Sequence, residues 1–263
     1  MRLILLLAVS AVTFAPTAAF AQDTAYCVDR PGANTPPCVL ERGQVMGEAS
    51  LIDWTRETAQ GERTDTFLTG DLLLRFGLGG ATEGRIGFTT LGVESVRQTP
   101  YARAERQTAV GDISIGLRHG FFGTDGPVAV EMFVTLPSGG DPIGDGTWSA
   151  GVLLPLEFDL SDRVAVAATP ELSAAANESG DGRHLAYGGA AGFSVALSES
   201  LSAASEITLL RDDDPQEAQT TILASQSLAW RASERQQFDA QVLAGLNRAS
   251  ADVQVIVGLA RMF

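Results

Sequence analysis

Lysine is absent from this sequence: all 18 basic side chains are arginine, set against 32 acidic ones, for a formal net charge of -14. So acidic a chain lacks the cationic footprint that nucleic-acid binding requires. A secreted lectin or sandwich can be equally acidic, so charge does not select the fold. Long apolar runs are scarce too. Beyond the N-terminal stretch no segment offers about 18 uninterrupted apolar residues, which excludes a membrane protein built of helices. Histidine is limited to His119 and His184. There is neither a glycine-rich phosphate loop nor an HExxH zinc motif, so the sequence implies no metal and no cofactor.

What is present begins with an export signal. Met1-Arg2 is basic, Leu3 to Val12 is apolar, and Ala19-Phe20-Ala21 fits a small-x-small cleavage site. Residues 1–21 therefore read as a cleaved secretory signal peptide, with Gln22 as the mature start. Loss of Arg2 takes the charge from -14 to -15 (-14 minus 1). In an exported chain, the two cysteines, Cys27 and Cys38, favour a disulfide. They bracket Val28 to Pro37, a stretch rich in Pro, Gly and Asn. Closing so short a loop stabilises by roughly 3 kcal/mol. Two free thiols are the alternative. Residues 22–43 are expected to form a periplasmic N-terminal arm, and 44–263 the folded domain.

The C-terminal residues alternate. Val253, Val255, Val257 and Leu259 point one way, Asp252, Gln254, Ile256, Gly258 and Ala260 the other, and the strand closes on Phe263. One apolar face and one mostly small or polar face suit a strand between lipid and a wet lumen. Bacterial outer-membrane barrels commonly end on such an aromatic, read by the barrel-assembly machinery, which makes Phe263 the expected assembly signal. About twelve alternating segments follow Gly43, near 44–56, 66–78, 84–96, 111–121, 127–137, 147–159, 163–175, 184–197, 201–211, 218–230, 236–247 and 252–263. Most are about as long as a tilted strand needs to cross a bilayer. Soluble sandwiches alternate as well, so the connections matter. Gly79–Thr82, Gly123–Gly126, Leu160–Arg163, Ser198–Ser200 and Arg231–Arg235 are short; Thr58–Thr64, Arg97–Val110, Pro137–Gly146, Asn177–Arg183 and Arg211–Glu217 are longer and polar. Short turns on one rim and long loops on the other are expected of outer-membrane barrels. An even strand number puts both termini on the short-turn, periplasmic side.

Some segments break the pattern. In 44–56 neither parity is cleanly apolar: Asp53 shares a face with Leu51, and Glu48 with Ile52 and Trp54. In 82–96 the apolar face switches near Leu91, as a bulge would make it. Gln226 interrupts Ile222, Ala224, Leu228 and Trp230, and Arg261 sits on the lipid parity, near enough to the end to snorkel. Since every backbone N–H and C=O must be paired inside a bilayer, and helices are excluded, a closed barrel remains. The expected fold is all-β: a transmembrane antiparallel up-and-down β-barrel of about twelve strands, in the outer membrane of a Gram-negative cell.

The run Gly111-Asp112-Ile113-Ser114-Ile115-Gly116-Leu117-Arg118, then Val134-Thr135-Leu136-Pro137-Ser138-Gly139-Gly140-Asp141, Ile143-Gly144-Asp145-Gly146 and Leu160-Ser161-Asp162-Arg163 resembles one family. The order of these motifs is similar to that of outer-membrane transporters associated with the meta-cleavage pathway of phenol degradation. The resemblance covers about residues 65–263. Here Ser138 replaces the usual Thr, and an extra Gly140 precedes the Asp. The resemblance implies a barrel acting as a channel for hydrophobic or aromatic compounds.

The parities place Asp71, Arg75, Arg85, Asp112, Arg118, Glu131, Glu157, Asp159, Glu171, Glu206 and Asp239 on the lumen side. Charges inside a barrel need water or partners. They form either a polar path whose carboxylates disfavour anions or a paired network that fills a narrow barrel, with Arg118 and Glu131 on neighbouring strands. Ser138, Asp141 and Asp145 offer oxygen ligands in a spacing that matches no specific Ca²⁺ loop. Asp212-Asp213-Asp214 with Glu217 reads as a solvated outer loop or a site for divalent ions that bridge lipopolysaccharide. Three functional readings stand: a channel for small molecules, a non-transporting barrel that presents loops, and a lipid-edge hydrolase. The third would need a serine beside His119 or His184, but Phe121 and Ala186 occupy the same-face positions two residues on. The expected partners are outer-membrane lipids, the assembly machinery and a small solute, and no nucleic acid.

Overall fold

The computed structural model describes residues 26–59, 61–98 and 103–263, and the expected signal peptide lies outside them. Fourteen antiparallel segments form one sheet. They are β1 (Val45–Ala59), β2 (Glu62–Gly77), β3 (Thr82–Arg97), β4 (Glu105–Ala109), β5 (Ile113–Gly120), β6 (Ala129–Leu136), β7 (Ser149–Leu153), β8 (Leu156–Ser161), β9 (Val164–Ala176), β10 (Arg183–Ala196), β11 (Leu201–Asp212), β12 (Gln219–Ser233), β13 (Gln236–Gly245) and β14 (Val253–Met262). β4 and β5 both pair with β3, and β7 and β8 both pair with β9. Each couple is one wall strand broken in the middle, so the wall is a closed barrel of 12 strands. β14 pairs with β1, and β9 with β10, which leaves the ring no open end.

Packing is inverted relative to a soluble domain. Leu172 is 53% exposed and Ile207 55%, while Arg75, Glu83 and Arg118 are 0% exposed. Apolar side chains cover the outside, as hydrocarbon demands, and charge is enclosed.

The broken parities have distinct causes. β1 carries a bulge at Leu51: Ser50 pairs with Gly258, but Ile52 pairs with Val257. One extra residue moves the inward set from Met46, Glu48 and Ser50 to Asp53, all buried, and leaves Leu51 and Ile52 both exposed. Near Leu91 the expected bulge is absent. The β2–β3 register is unbroken from Asp71↔Thr89 to Thr69↔Leu91. The face changes instead at Gly70, whose φ of 63° is open to glycine, and the Thr90 hydroxyl donates to the Thr69 carbonyl at 2.9 Å. Gln226 stays on the outer face with a partner, accepting a 2.8 Å hydrogen bond from Ser205 on β11. Two expected loops contain strand. Thr58–Thr64 is a tight hairpin paired through Ala59↔Glu62, and β4 occupies part of Arg97–Val110.

Candidate functional site

The lumen holds a stretch of the chain itself. Residues 26–42 rise from the start of β1, cross the interior and return. Disulfide Cys27–Cys38 closes this segment, with Cα atoms 5.8 Å apart. The sequence carried the disulfide but no sign of the insertion, because a Pro- and Gly-rich stretch reads the same in water or in a pore.

Asp29 and Arg30, near its start, face opposite partners. The Asp29 carboxylate is ion-paired with Arg75 Nη1 at 2.9 Å and accepts from Arg118 Nη1 at 2.9 Å and Nη2 at 2.8 Å, and from Arg85 Nη2. Arg30 donates through Nη2 to Asp239 at 2.9 Å and through Nη1 to Ser50 at 2.8 Å. It lies flat on β14 because position 258 is glycine; a Cβ there would come within 2.2 Å of Arg30 Nη2. The wall charges also bind each other. Arg75 clamps Glu83 with two 2.9 Å hydrogen bonds. Arg118 holds Glu131 at 2.8 Å, and Arg85 reaches Glu83 and Glu131, each at 3.1 Å. The bidentate Arg75–Glu83 pair is the strong form of such bonds.

Wall carboxylates meanwhile bind the segment's backbone. Glu48 accepts from the N–H of Asp29 and Arg30, both at 3.1 Å. Glu83 accepts from Leu40 N–H at 2.9 Å. Glu206 takes Ala33 N–H at 2.8 Å, Asn34 N–H at 3.1 Å and the Asn34 side chain at 2.8 Å. Thr169 Oγ1 accepts from Thr35 N–H at 2.9 Å. A segment with no secondary structure of its own thus pairs these backbone N–H groups inside the barrel, as burial requires, while Asn34 Oδ1 is left without a partner among the described residues.

Of the residues expected in the lumen, the segment gathers Arg75, Arg85, Arg118, Glu131, Glu206 and Asp239 into one network. Asp71 accepts from Thr89 at 3.0 Å. It borders a cavity of about 290 Å³ with Asp29, Arg30, Leu73, Thr89 and Ser114. Glu157 and Asp159 on β8 and Glu171 on β9 lie on the face opposite the exposed Phe158 and Leu172, with Glu171 close enough to Glu131 of the network to repel it. Asp112 has a different task. Its two carboxylate oxygens accept Gly139 N–H at 2.6 Å and Asp145 N–H at 2.8 Å. The motifs Gly111-Asp112 and Pro137 to Gly146 therefore work as one latch that draws the β6–β7 loop onto the break between β4 and β5. Ile143 of that loop points at Gly92, where a Cβ would come within 2.6 Å of it.

Asp53, Glu48 and Glu83 belong to the lumen but were absent from the expected set, Glu48 and Asp53 because the Leu51 bulge scrambles their parity. The Phe263 ring lies over Gly47 of β1, 3.2 Å from where a Cβ would be. On the long-loop rim, His184 lies 2.5 Å through Nε2 from Asp212 and 3.3 Å through Nδ1 from Asp214, so these aspartates are not freely solvated. Asp214 also accepts from Gln216 and Glu178 N–H, and those two bonds hold its carboxyl below the usual range. His119 bonds Thr82 at 2.9 Å. Among the described residues neither histidine is bonded to a serine.

A closed sheet with apolar side chains outside and arginine–carboxylate pairs within defines a β-barrel of the outer membrane. The family described as "Putative MetA-pathway of phenol degradation" matches residues 28–263, and the chain belongs to it. Solved structures agree on the fold. An outer-membrane channel from Pseudomonas putida F1 superposes with a TM-score of 0.71 at 15% identity, over 89% of this chain and 99% of that one. The translocator domain of the autotransporter NalP from Neisseria meningitidis gives 0.51 at 13%, over 84% and 88%. The NanC porin gives 0.50 at 10%, over 82% and 98%. No curated protein matches the sequence.

Proposed function

We propose that this barrel is a channel for small, one-ring or similarly compact molecules, gated by its own segment 26–42. The observation that carries this is the roughly 290 Å³ cavity between the segment and the wall of β2, β3 and β5. An apolar cavity of about 150 Å³ already admits benzene, so a one-ring solute has room. Leu73 offers it apolar surface, and Asp71, Thr89 and Ser114 offer polar contacts. The family's link to phenol degradation supports that solute class, and the fold shared with the outer-membrane channel from Pseudomonas putida F1 supports a channel. In this reading the signal peptide is cleaved, the short-turn rim and the segment's entry face the periplasm, the long loops face outward, and the assembly machinery recognises β14 and Phe263.

Its test is solute flux into liposomes carrying purified, heat-modifiable protein, with phenol and a sugar of similar size as probes. Phenol entering faster than it enters protein-free liposomes, with no such gain for the sugar, supports the reading. Absence of phenol flux, both in wild type and in a variant with the segment loosened, ends it. The dense bonding of the segment favours one competing reading, a barrel closed through its middle that transports nothing, and that second outcome would select it.

A further inference from the structure

The outer face of the long-loop rim carries a second feature, independent of the lumen. There β1–β4 sort their charges by sign. Asp53 is buried in the lumen, so Trp54 and, two residues on, Arg56 point outward. Arg56 pairs in register with Asp65, Arg63 with Arg97, and Asp65 with Ser95, which in turn pairs with Arg106. Residues opposite one another in an antiparallel ladder project from the same face. Arg56, Arg63, Arg97 and Arg106 therefore share the outside with a single carboxylate, Asp65, for a net of +3 (four minus one). Glu57, Glu62, Glu94 and Glu105 at the same height have the opposite parity and turn inward. In a chain of charge -14, this concentration of cations on the outer face is what calls for a ligand.

Two details narrow the ligand. Arg63 and Arg97 stand directly opposite each other, an arrangement that repels unless an anion lies between them. Asp65 restrains Arg63 and Arg56, at 2.7 and 2.9 Å, but pairs with neither Arg97 nor Arg106 in the ladder. Arg56 is stacked 4.7 Å from the Trp54 ring. Immediately below, Ile52, Phe67 and Leu91 are exposed, at 41%, 40% and 40%. Guanidinium groups over an apolar belt match a molecule with phosphate at its head and hydrocarbon beneath. Arginine, not lysine, gives the planar two-point grip that phosphate accepts.

We propose that Arg56, Arg63, Arg97 and Arg106 form a binding site for the phosphorylated headgroup of an outer-leaflet lipid. The site takes the long-loop rim to lie at the outer leaflet, and it does not depend on what the lumen carries.

Native mass spectrometry of the folded protein in detergent tests it, with bisphosphorylated lipid A as the probe. Wild type should retain that lipid and release lipid A stripped of its phosphates. The double variant Arg63→Gln/Arg97→Gln should bind the intact lipid on the order of tenfold more weakly, or less well still, as expected for losing charged hydrogen bonds. Arg248→Gln, elsewhere among the long loops, should bind like wild type. Equal retention of intact and stripped lipid by wild type would overturn the proposal, and this arm needs no variant to fold. So would equal loss in Arg248→Gln. Full displacement by inorganic phosphate would assign the patch to the free anion instead of a lipid. Solute flux should be the same in the double variant and wild type, which separates failure here from failure of the channel reading.

Discussion

Asp29→Asn should loosen the segment inside the barrel. The wall at this level carries Arg75, Arg85 and Arg118 against Glu48, Glu83 and Glu131, a balance of zero (three minus three). Removing the Asp29 charge therefore strands no arginine, and the cost lies in the weakened bonds. Breaking a buried pair so as to leave a bare charge costs about 3–5 kcal/mol, which sets the ceiling. A hydrogen bond to a charged group is worth about 1.5–3 kcal/mol, and the asparagine carbonyl keeps part of it. A net loss of about 2–3 kcal/mol raises the released population on the order of a hundredfold. Single-channel recordings in planar bilayers should show open events more frequent by about that factor. Amide exchange over residues 30–40 should accelerate in parallel. A folded variant with wild-type event frequency and wild-type exchange would refute the idea that this carboxylate holds the segment in place.

Other consequences follow from the same geometry. Replacing both Cys27 and Cys38 by serine removes roughly 3 kcal/mol of loop restraint, so exchange at Ala33 and Asn34 should rise; unchanged protection there would mean that Glu206 alone suffices. Asp112→Ala leaves the N–H groups of Gly139 and Asp145 without their acceptor, at about 1–3 kcal/mol. Limited proteolysis should then cut the loop between Pro137 and Gly146 sooner, while the barrel's thermal unfolding hardly shifts. For pH, burial alone would push the Asp29 carboxyl up, but Arg118, Arg75 and Arg85 hold it well below the usual range. A depressed value stabilises the docked segment above the free-carboxylate pKa of about 3.9, and that stabilisation is lost as pH falls through the depressed value. Open-event frequency should stay flat from neutrality to about pH 4 and climb only below it; a climb already complete at about pH 5 would contradict this.

The barrel was legible because lipid and water impose a two-residue period that survives in most strands. β13 shows it without interruption, buried Gln237, Asp239 and Gln241 alternating with outward Phe238 and Val242. Where geometry inserts a residue, as at Leu51, or bends the backbone, as at Gly70, the period breaks and the sequence cannot say which has happened. Half of the candidate site was legible on the same terms. Arg118 and Glu131 declared themselves as cross-strand neighbours. The partner that joins them, Asp29, did not, because it lies 89 residues from Arg118 in a stretch without periodicity. One clue was present. Parity put eight carboxylates in the lumen against three arginines, an excess of acid that a cation such as Arg30, in the stretch parity left unassigned, partly offsets.

The segment leaves the ribosome before any strand, yet two of its anchors come last. Tyr26 bonds Ala260, 234 residues away, and Arg30 bonds Asp239, 209 away. Contacts so distant along the chain form slowly, since so much polymer must first be brought together. Until β13 and β14 exist, Arg30 and Tyr26 lack their partners, although Arg75, Arg85 and Arg118 already stand ready for Asp29. Assembly of the barrel thus closes on a segment that precedes every strand, the final piece to settle.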